Sequence, residues 1–338
     1  MRTAPFSDGT PLVTQWPIPY GHFFDYEIRP DIGDAGTYTY HSHEGFQAMT
    51  AHGHLVVQDA IDPPYQYTEE EQIIIADWYT KSDEDIESAL TSTDFKWPGG
   101  PEALVLNGKS GTTSSTDGSD TSCGPSIITV KPETTYRIRW SSMAALAYTI
   151  IEIEDHTDMS VIEADGRYTK PAKIERMQLA SGQRFSTLLT TKGIDEIETD
   201  GKNGQYWINY RTPDGPNGLL NGKALLQYDT ESNNARSKEK RAGHPGRPSS
   251  PESHGGPGAG SSPESTSNRK HGQPVAPVHG QIPGKPEVSV DDSYTTWLEY
   301  ALEPLDGEAY YPPLAEVTRT IQINLTLDKD IAGLWKFQ

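Results

Sequence analysis

Between residues 36 and 229 the chain repeats one pattern: a short run rich in β-branched and aromatic side chains, closed by a turn. Eleven such runs can be read, GTYTYHSH, GHLVVQD, EQIIIADWY, EALVLNG, SIITVKP, TYRIRW, YTIIEIE, MSVIEADG, RFSTLLTT, QYWINYR and KALLQYD. Short apolar runs at regular spacing cannot build long helices, and pair most readily into stacked sheets. The turn residues agree. Asn107-Gly108, Asp165-Gly166, Asp200-Gly201 and Asp214-Gly215 are dipeptides that tolerate positive φ, and the chain holds 31 Gly and 26 Pro. An all-β sandwich follows, with SDEDIESAL at 82–90 as the best short helical stretch.

Residues 232–290 interrupt that pattern. They contain no aromatic residue and nine of the 26 prolines, in Gly-, Ser-, Pro- and Glu-rich sequence such as SSPESHGGPGAGSSPEST. Such a segment cannot bury enough apolar area to offset its ordering entropy, so disorder is expected. As a flexible coil its ends would lie roughly 40 to 45 Å apart, which suits an inserted loop or a linker. It holds eight Lys and Arg against four Glu, a charge of +4, so the rest of the chain carries −24 of the formal −20. That acidity argues against nucleic acid and against a membrane surface as partners. No stretch reaches the roughly 18 apolar residues of a membrane helix, and MRTAPFSDGT lacks the apolar centre of a signal peptide.

In GTYTYHSHEGFQ the alternation predicts a strand on which His41 and His43 share a face, since side chains two apart point the same way. Neutral imidazole suits copper, and two rings on Cα atoms about 6 to 7 Å apart can each hold a different ion of a cluster. Spacing alone leaves a plain alternative, because paired strand histidines are commonly solvated surface residues.

The surrounding residues point further. GTYTYHSHEGFQAMTAHGHLVVQD resembles the second copper-binding segment of the laccase-like multicopper oxidases: Gly-Thr, aromatic residues, His-Ser-His, a Gln four residues on, then a hydrophobic strand. DGTPLVTQWPIPYGHFFDYEI resembles the stretch that joins the first copper segment to the second, with Trp16 where many members carry Cys. ALVLNGK, TVKPETTYRIRW, HTDMSVIEADG and LASGQRFSTLLT resemble, in order, the second cupredoxin domain of the laccase and ascorbate oxidase group. The resemblance implies cupredoxin-like Greek-key β-sandwiches. It divides the chain into a partial first domain at 1–64, a second domain at 65–231, the insertion or linker at 232–290, and the end of the second domain with the start of a third at 291–338. It implies copper as cofactor, a phenol-like small-molecule reductant and dioxygen as partners, and an extracellular setting. In the family a type 1 copper held by two His and a Cys feeds electrons to a three-copper cluster held by four His-x-His motifs. Carried over by position, His41 and His43 would each bind one copper of the type 3 pair. The other six cluster histidines have no counterpart in these 338 residues. A fragment truncated at both ends and inactive alone is therefore expected, and a non-catalytic cupredoxin-type interaction module, or the product of a truncated gene model, is the competing expectation.

The remaining candidates carry less. Cys123, the one cysteine, lies in TSCGPS without flanking histidines, so a free loop thiol is expected rather than a copper ligand. His52 and His54 repeat the spacing in AHGHLVV but are expected as solvated strand-end histidines. His156 matches a family position where an imidazole bonds between strands. His244, His254, His271 and His279 are irregularly spaced, and the acidic runs 69–71 and 83–87 are expected as a wet face. Asn324-Leu325-Thr326 is a glycosylation acceptor sequence, relevant to an exported chain.

Overall fold

The computed structural model describes residues 5–111, 124–145, 147–213, 220–230, 298–305, 327–329 and 335–337. Cys123, Asp214-Gly215, the four scattered histidines and all of 232–290 lie outside these.

Two strands, β1 (Gly36–His41) and β2 (His52–Val57), form an antiparallel hairpin in which Gly36 faces Val57 and His41 faces His52. A short 3-10 turn, Gln47–Met49, sits in the connecting loop. Then follow β3 (Glu69–Trp78), α1 (Asp83–Thr91), β4 (Ala103–Leu106), β5 (Ile127–Val130), β6 (Thr135–Ser142), β7 (Thr149–Ile153) and β8 (Met159–Ala164). β9 (Arg167–Ile174), β10 (Arg176–Leu179), β11 (Arg184–Thr190), α2 (Ile194–Thr199), β12 (Gln205–Arg211) and β13 (Asn221–Tyr228) complete the unit. One sheet runs β4-β3-β6-β11-β8-β9 and the other β10-β7-β12-β13-β5, and side chains from both close one apolar core that includes Ile73, Ile138, Trp140, Phe185, Ile208 and Leu226.

All eleven runs read from the sequence are strands, and the helical stretch at 82–90 is α1, capped by the Ser82 hydroxyl accepting from the Asp85 N–H. β9 and β10 were not read from the sequence. β9 contains Pro171, which cannot donate to a ladder; it is an edge strand, and Pro171 falls where its register with β8 breaks. Beyond the sandwich, α3 (Leu298–Ala301) leads into a segment that bonds β9 through Lys170 N–H to the Glu303 carbonyl at 2.8 Å. β14 (Leu327–Lys329) and β15 (Trp335–Phe337) pair antiparallel.

What fixes the β1–β2 hairpin is the outer face of the six-stranded sheet. On β6, Tyr136, Ile138 and Trp140 enter the core, so Arg137, Arg139 and Ser141 point the other way. These do not face water. Glu163 on β8, fully buried, accepts from the Thr37 N–H at 2.6 Å and from Arg137 Nη2 at 2.8 Å, and also from the Ser186 hydroxyl. Arg139 donates to the Thr37 hydroxyl at 2.9 Å and holds Glu70 by two bonds of 3.0 Å. Glu70 thus belongs to an ion pair rather than to the wet face expected for 69–71. The hairpin is keyed to the sandwich by strand β1 itself.

Close backbone approach completes the fit. A Cβ placed on Gly36 would lie 2.7 Å from the Gly166 Cα, and one on Gly166, itself at φ +82°, would meet the Tyr38 ring at 2.7 Å. Gly36→Ala must therefore separate hairpin and sheet, at a cost of about 1–3 kcal/mol typical of overpacking. The expected result is faster amide hydrogen exchange across β1 and β2 with the sandwich amides unchanged.

Candidate metal centre

β1 ends at His41, two residues short of the His43 that the alternation places on the same strand, although the Ser42 N–H still reaches the Ala51 carbonyl at 2.9 Å. His43 lies just beyond the strand. The two rings nevertheless stand together on one side, with centroids 5.9 Å apart and planes tilted by only 27°. Both side chains are exposed. The His41 Nδ1 lies 2.8 Å from the Ser42 carbonyl, and because a carbonyl only accepts, Nδ1 carries a proton, which in a neutral ring leaves the lone pair on Nε2. That is the state in which an imidazole binds a metal.

Of the other two hairpin histidines, only His54 has both ring nitrogens engaged by the protein. His52 donates from Nδ1 to the Ala48 carbonyl at 2.8 Å, inside the loop. His54 spends both nitrogens: Nδ1 donates to Gln72 Oε1 at 3.1 Å on β3, and Nε2 accepts from the Ser141 hydroxyl at 2.6 Å on β6. It is a half-buried bridge from within β2 to the sheet, not the solvated strand-end histidine expected. His156 is buried and bonds the Glu154 carbonyl at 2.6 Å and the Tyr228 hydroxyl at 2.7 Å, the interstrand role expected of it.

Burial, with the charges of Arg139 and His52, outweighs the Gln72 bond and holds His54 below the ordinary imidazole value of 6.5. The sign follows. Between that lowered value and 6.5 the unfolded chain binds more protons, so the contribution of His54 is complete above about 6.5 and fades as pH falls. His156, also lowered by burial, adds a change of the same sign in the sandwich. The protection factors of the β1–β2 amides, taken relative to intrinsic exchange at each pH, should fall on acidification through this window, and His54→Gln should remove that part of the pH dependence; identical profiles for the two proteins would contradict it.

Sequence reading missed two features here. Ser42 and Gln47 stood inside the quoted pattern but had no role; in the structure the Ser42 hydroxyl donates to Gln47 Oε1 at 2.8 Å. Phe46 and Met49 pack with Tyr79, Ile86 and Leu90, which pins the loop to β3 and α1. The alternation of aromatic and polar residues in the loop was the available signal.

Two family profiles, both described as multicopper oxidase, match residues 69–231 and 1–61. The chain belongs to the multicopper oxidase family. It is 44% identical over 326 residues to multicopper oxidase aurL2 of Gibberella zeae, covering 96% of this chain and 47% of that protein. It is 32% identical to laccase-like multicopper oxidase 1 of Thermothelomyces thermophilus, covering 95% of this chain and 48% of the relative. The multicopper oxidase terE of Aspergillus terreus is 36% identical, with 94% and 53% covered. This chain therefore spans about half the length of the relatives it matches. Among solved structures, Fet3p, a multicopper oxidase that functions in iron import, superposes with a TM-score of 0.61 at 20% identity over 99% of this chain and 52% of its own. The laccase of Botrytis aclada gives 0.52 at 24% identity over 68% of this chain and 41% of its own. At these identities the likeness concerns the fold alone, an all-β architecture with its sheets in a cupredoxin-like arrangement.

Copper, the metal of this family, can be tested against the residues present. His41 offers an unprotonated Nε2, and His43 stacks beside it, so the pair fits as two donors facing one region. Among the described residues no group of three or more His, Cys, Asp or Glu side chains is placed to hold a metal ion. The pair fits as part of a copper centre and not as a whole one.

Proposed function

We propose that this chain is the portion of a copper-dependent oxidase, of the laccase-like kind, that contributes one His-x-His pair to an oxygen-reducing cluster. His41 and His43 would hold copper, each ring serving a different ion of a type 3 pair. The observation that carries the reading is the stacked pair with His41 Nε2 free, in a chain 44% identical over 96% of its length to a multicopper oxidase. Residues 1–64 would form part of a first cupredoxin domain and 65–231 a second, with 291–338 closing the second and opening a third. An extracellular setting goes with this reading.

The reaction takes four electrons from phenol-like donors, one at a time, and with four protons reduces one dioxygen to two waters. Bound copper would supply the one-electron redox chemistry. The chain's own residues do the positioning. The Ser42 carbonyl keeps the proton on His41 Nδ1, the hairpin ladder sets the spacing of the rings, and the contacts of Thr37 with Glu163 and Arg139 hold the hairpin in place. Blue colour needs a copper thiolate with histidine neighbours, which the sequence around Cys123 does not offer.

A second reading, a non-catalytic cupredoxin-type module, is favoured by the count of two donors among the described residues. Cupric titration of the 338-residue chain, followed by electron paramagnetic resonance and visible absorption, separates the two. The oxidase reading expects weak binding that disappears in His41→Ala and His43→Ala, with no intense blue band and no phenol oxidation. Binding unaffected by either substitution would favour the module.

A further inference from the structure

Resting on the copper reading of His41, we propose that Gln47 decides which nitrogen of His41 carries the proton, acting through Ser42, and so presents Nε2 to the metal. Gln47 is a positioning residue in this scheme, since it touches neither ring.

Every link is a contact in the loop between β1 and β2. Gln47 has a fixed place. Its carbonyl accepts from the N–H groups of Thr50 at 3.1 Å and Ala51 at 2.8 Å, and its own N–H reaches the Glu44 carbonyl at 3.2 Å. Its neighbours Phe46 and Met49 are anchored against Tyr79, Ile86 and Leu90. From that base the carboxamide oxygen takes the Ser42 hydroxyl proton at 2.8 Å. Ser42 is held at a second point by its N–H on the Ala51 carbonyl at 2.9 Å. Ser42 is thus held at its N–H and at its side chain, and from that position its carbonyl stands 2.8 Å from His41 Nδ1. A group that orients a ligand through its other ring nitrogen fixes the tautomer and the ring plane together. Loss of the Gln47 contact frees the Ser42 side chain, and the carbonyl no longer has a single aim.

The test uses the metal-free 338-residue chain, labelled with nitrogen-15, at about pH 8, where imidazole is neutral. Long-range proton–nitrogen correlation spectra report the tautomer of each ring, and the His41→Ala spectrum assigns His41. The wild-type His41 should be the Nδ1–H form. In Ser42→Ala and in Gln47→Leu the ratio of Nε2–H to Nδ1–H should rise roughly fivefold, the size expected from weakening one neutral hydrogen bond. Gln47→Glu, which keeps an oxygen acceptor, should restore the wild-type ratio, and His52, bonded to Ala48, should not change in any of them. Ser42→Ala removes one half-exposed hydroxyl, so its backbone amide spectrum should stay folded and the comparison valid. The proposal is overturned if wild-type His41 is the Nε2–H form, if both variants leave the ratio unchanged, or if Gln47→Glu behaves as Gln47→Leu. No copper enters the measurement. A controlled tautomer in a chain that binds no copper would sink the oxidase reading alone, and copper binding at an uncontrolled His41 would sink this proposal alone.

Discussion

Glu163→Ala is expected to destabilise the protein by about 3–5 kcal/mol, the range for removing one partner of a buried ion pair. The carboxylate is fully buried and is the common acceptor of Arg137, Ser186 and both polar groups of Thr37, with Arg139 Nη1 at 3.6 Å. Its removal leaves the Arg137 guanidinium buried with only Ser186, Tyr168 and two aromatic faces for company. It also removes the acceptor that ties β1 to the sheet. Urea unfolding followed by tryptophan fluorescence measures the loss, and hydrogen exchange should show β1 and β2 opening first. Glu163→Gln, which keeps the shape and one acceptor, should cost less. A loss under about 1 kcal/mol for the alanine variant would show that water enters the site and that the network contributes little. Burial by itself would raise the Glu163 pKa, but the bonds from Ser186 and Thr37 and the charge of Arg137 prevail and hold it below the usual carboxylate range. Its stabilisation is therefore present at neutral pH and lost as pH falls through that range.

The second large effect concerns activity. In a longer chain that also supplies the type 1 site and the remaining cluster histidines, His41→Ala and His43→Ala should each abolish oxygen uptake with a phenolic donor while the blue absorption remains. The loss should exceed the roughly 10- to 100-fold that follows when a group merely orienting a ligand is removed, which is where Gln47→Leu should fall. The reason is division of labour: colour belongs to the thiolate-bound copper that accepts electrons, whereas the stacked imidazoles are proposed to hold the coppers at which dioxygen would be reduced. Visible spectra and oxygen-electrode rates on the same preparations decide the matter. Loss of blue colour in either variant would mean that these histidines serve the other copper, and full oxygen uptake without them would remove the role proposed here.

Much of the architecture was legible because strands write their faces into sequence with a period of two. TYRIRW gave β6, and QYWINYR gave β12, from alternation alone, and Asn107-Gly108 and Asp165-Gly166 take the positive φ their turns require. Ser82 followed by acidic residues marked the start of α1. The histidine pair was legible only in part: alternation put His41 and His43 on one strand, whereas β1 ends at His41 and the rings stand together although His43 lies outside it. β9 escaped because Pro171 reads as an interruption, and only its position at a sheet edge makes the proline acceptable.

What alternation could not say is whether the second face of a strand meets water or protein. In isolation Arg137 and Arg139 look like a solvated face, Glu70 like part of an acidic surface run, and Glu163 like one more charge among many. Glu70 is paired by Arg139 and Glu163 by Arg137 only where separate strands meet in the sheet, and Thr37 of β1, more than a hundred residues away from Arg139 and Glu163, lies against both. The tautomer of His41 is of the same kind: the sequence placed the ring, but its proton is decided by a carbonyl whose direction depends on Gln47 and on the packing of Phe46 and Met49. Local pattern sets which residues share a face because that follows from backbone geometry, whereas burial, pairing and protonation depend on which surfaces meet, and those meetings exist only in the folded chain.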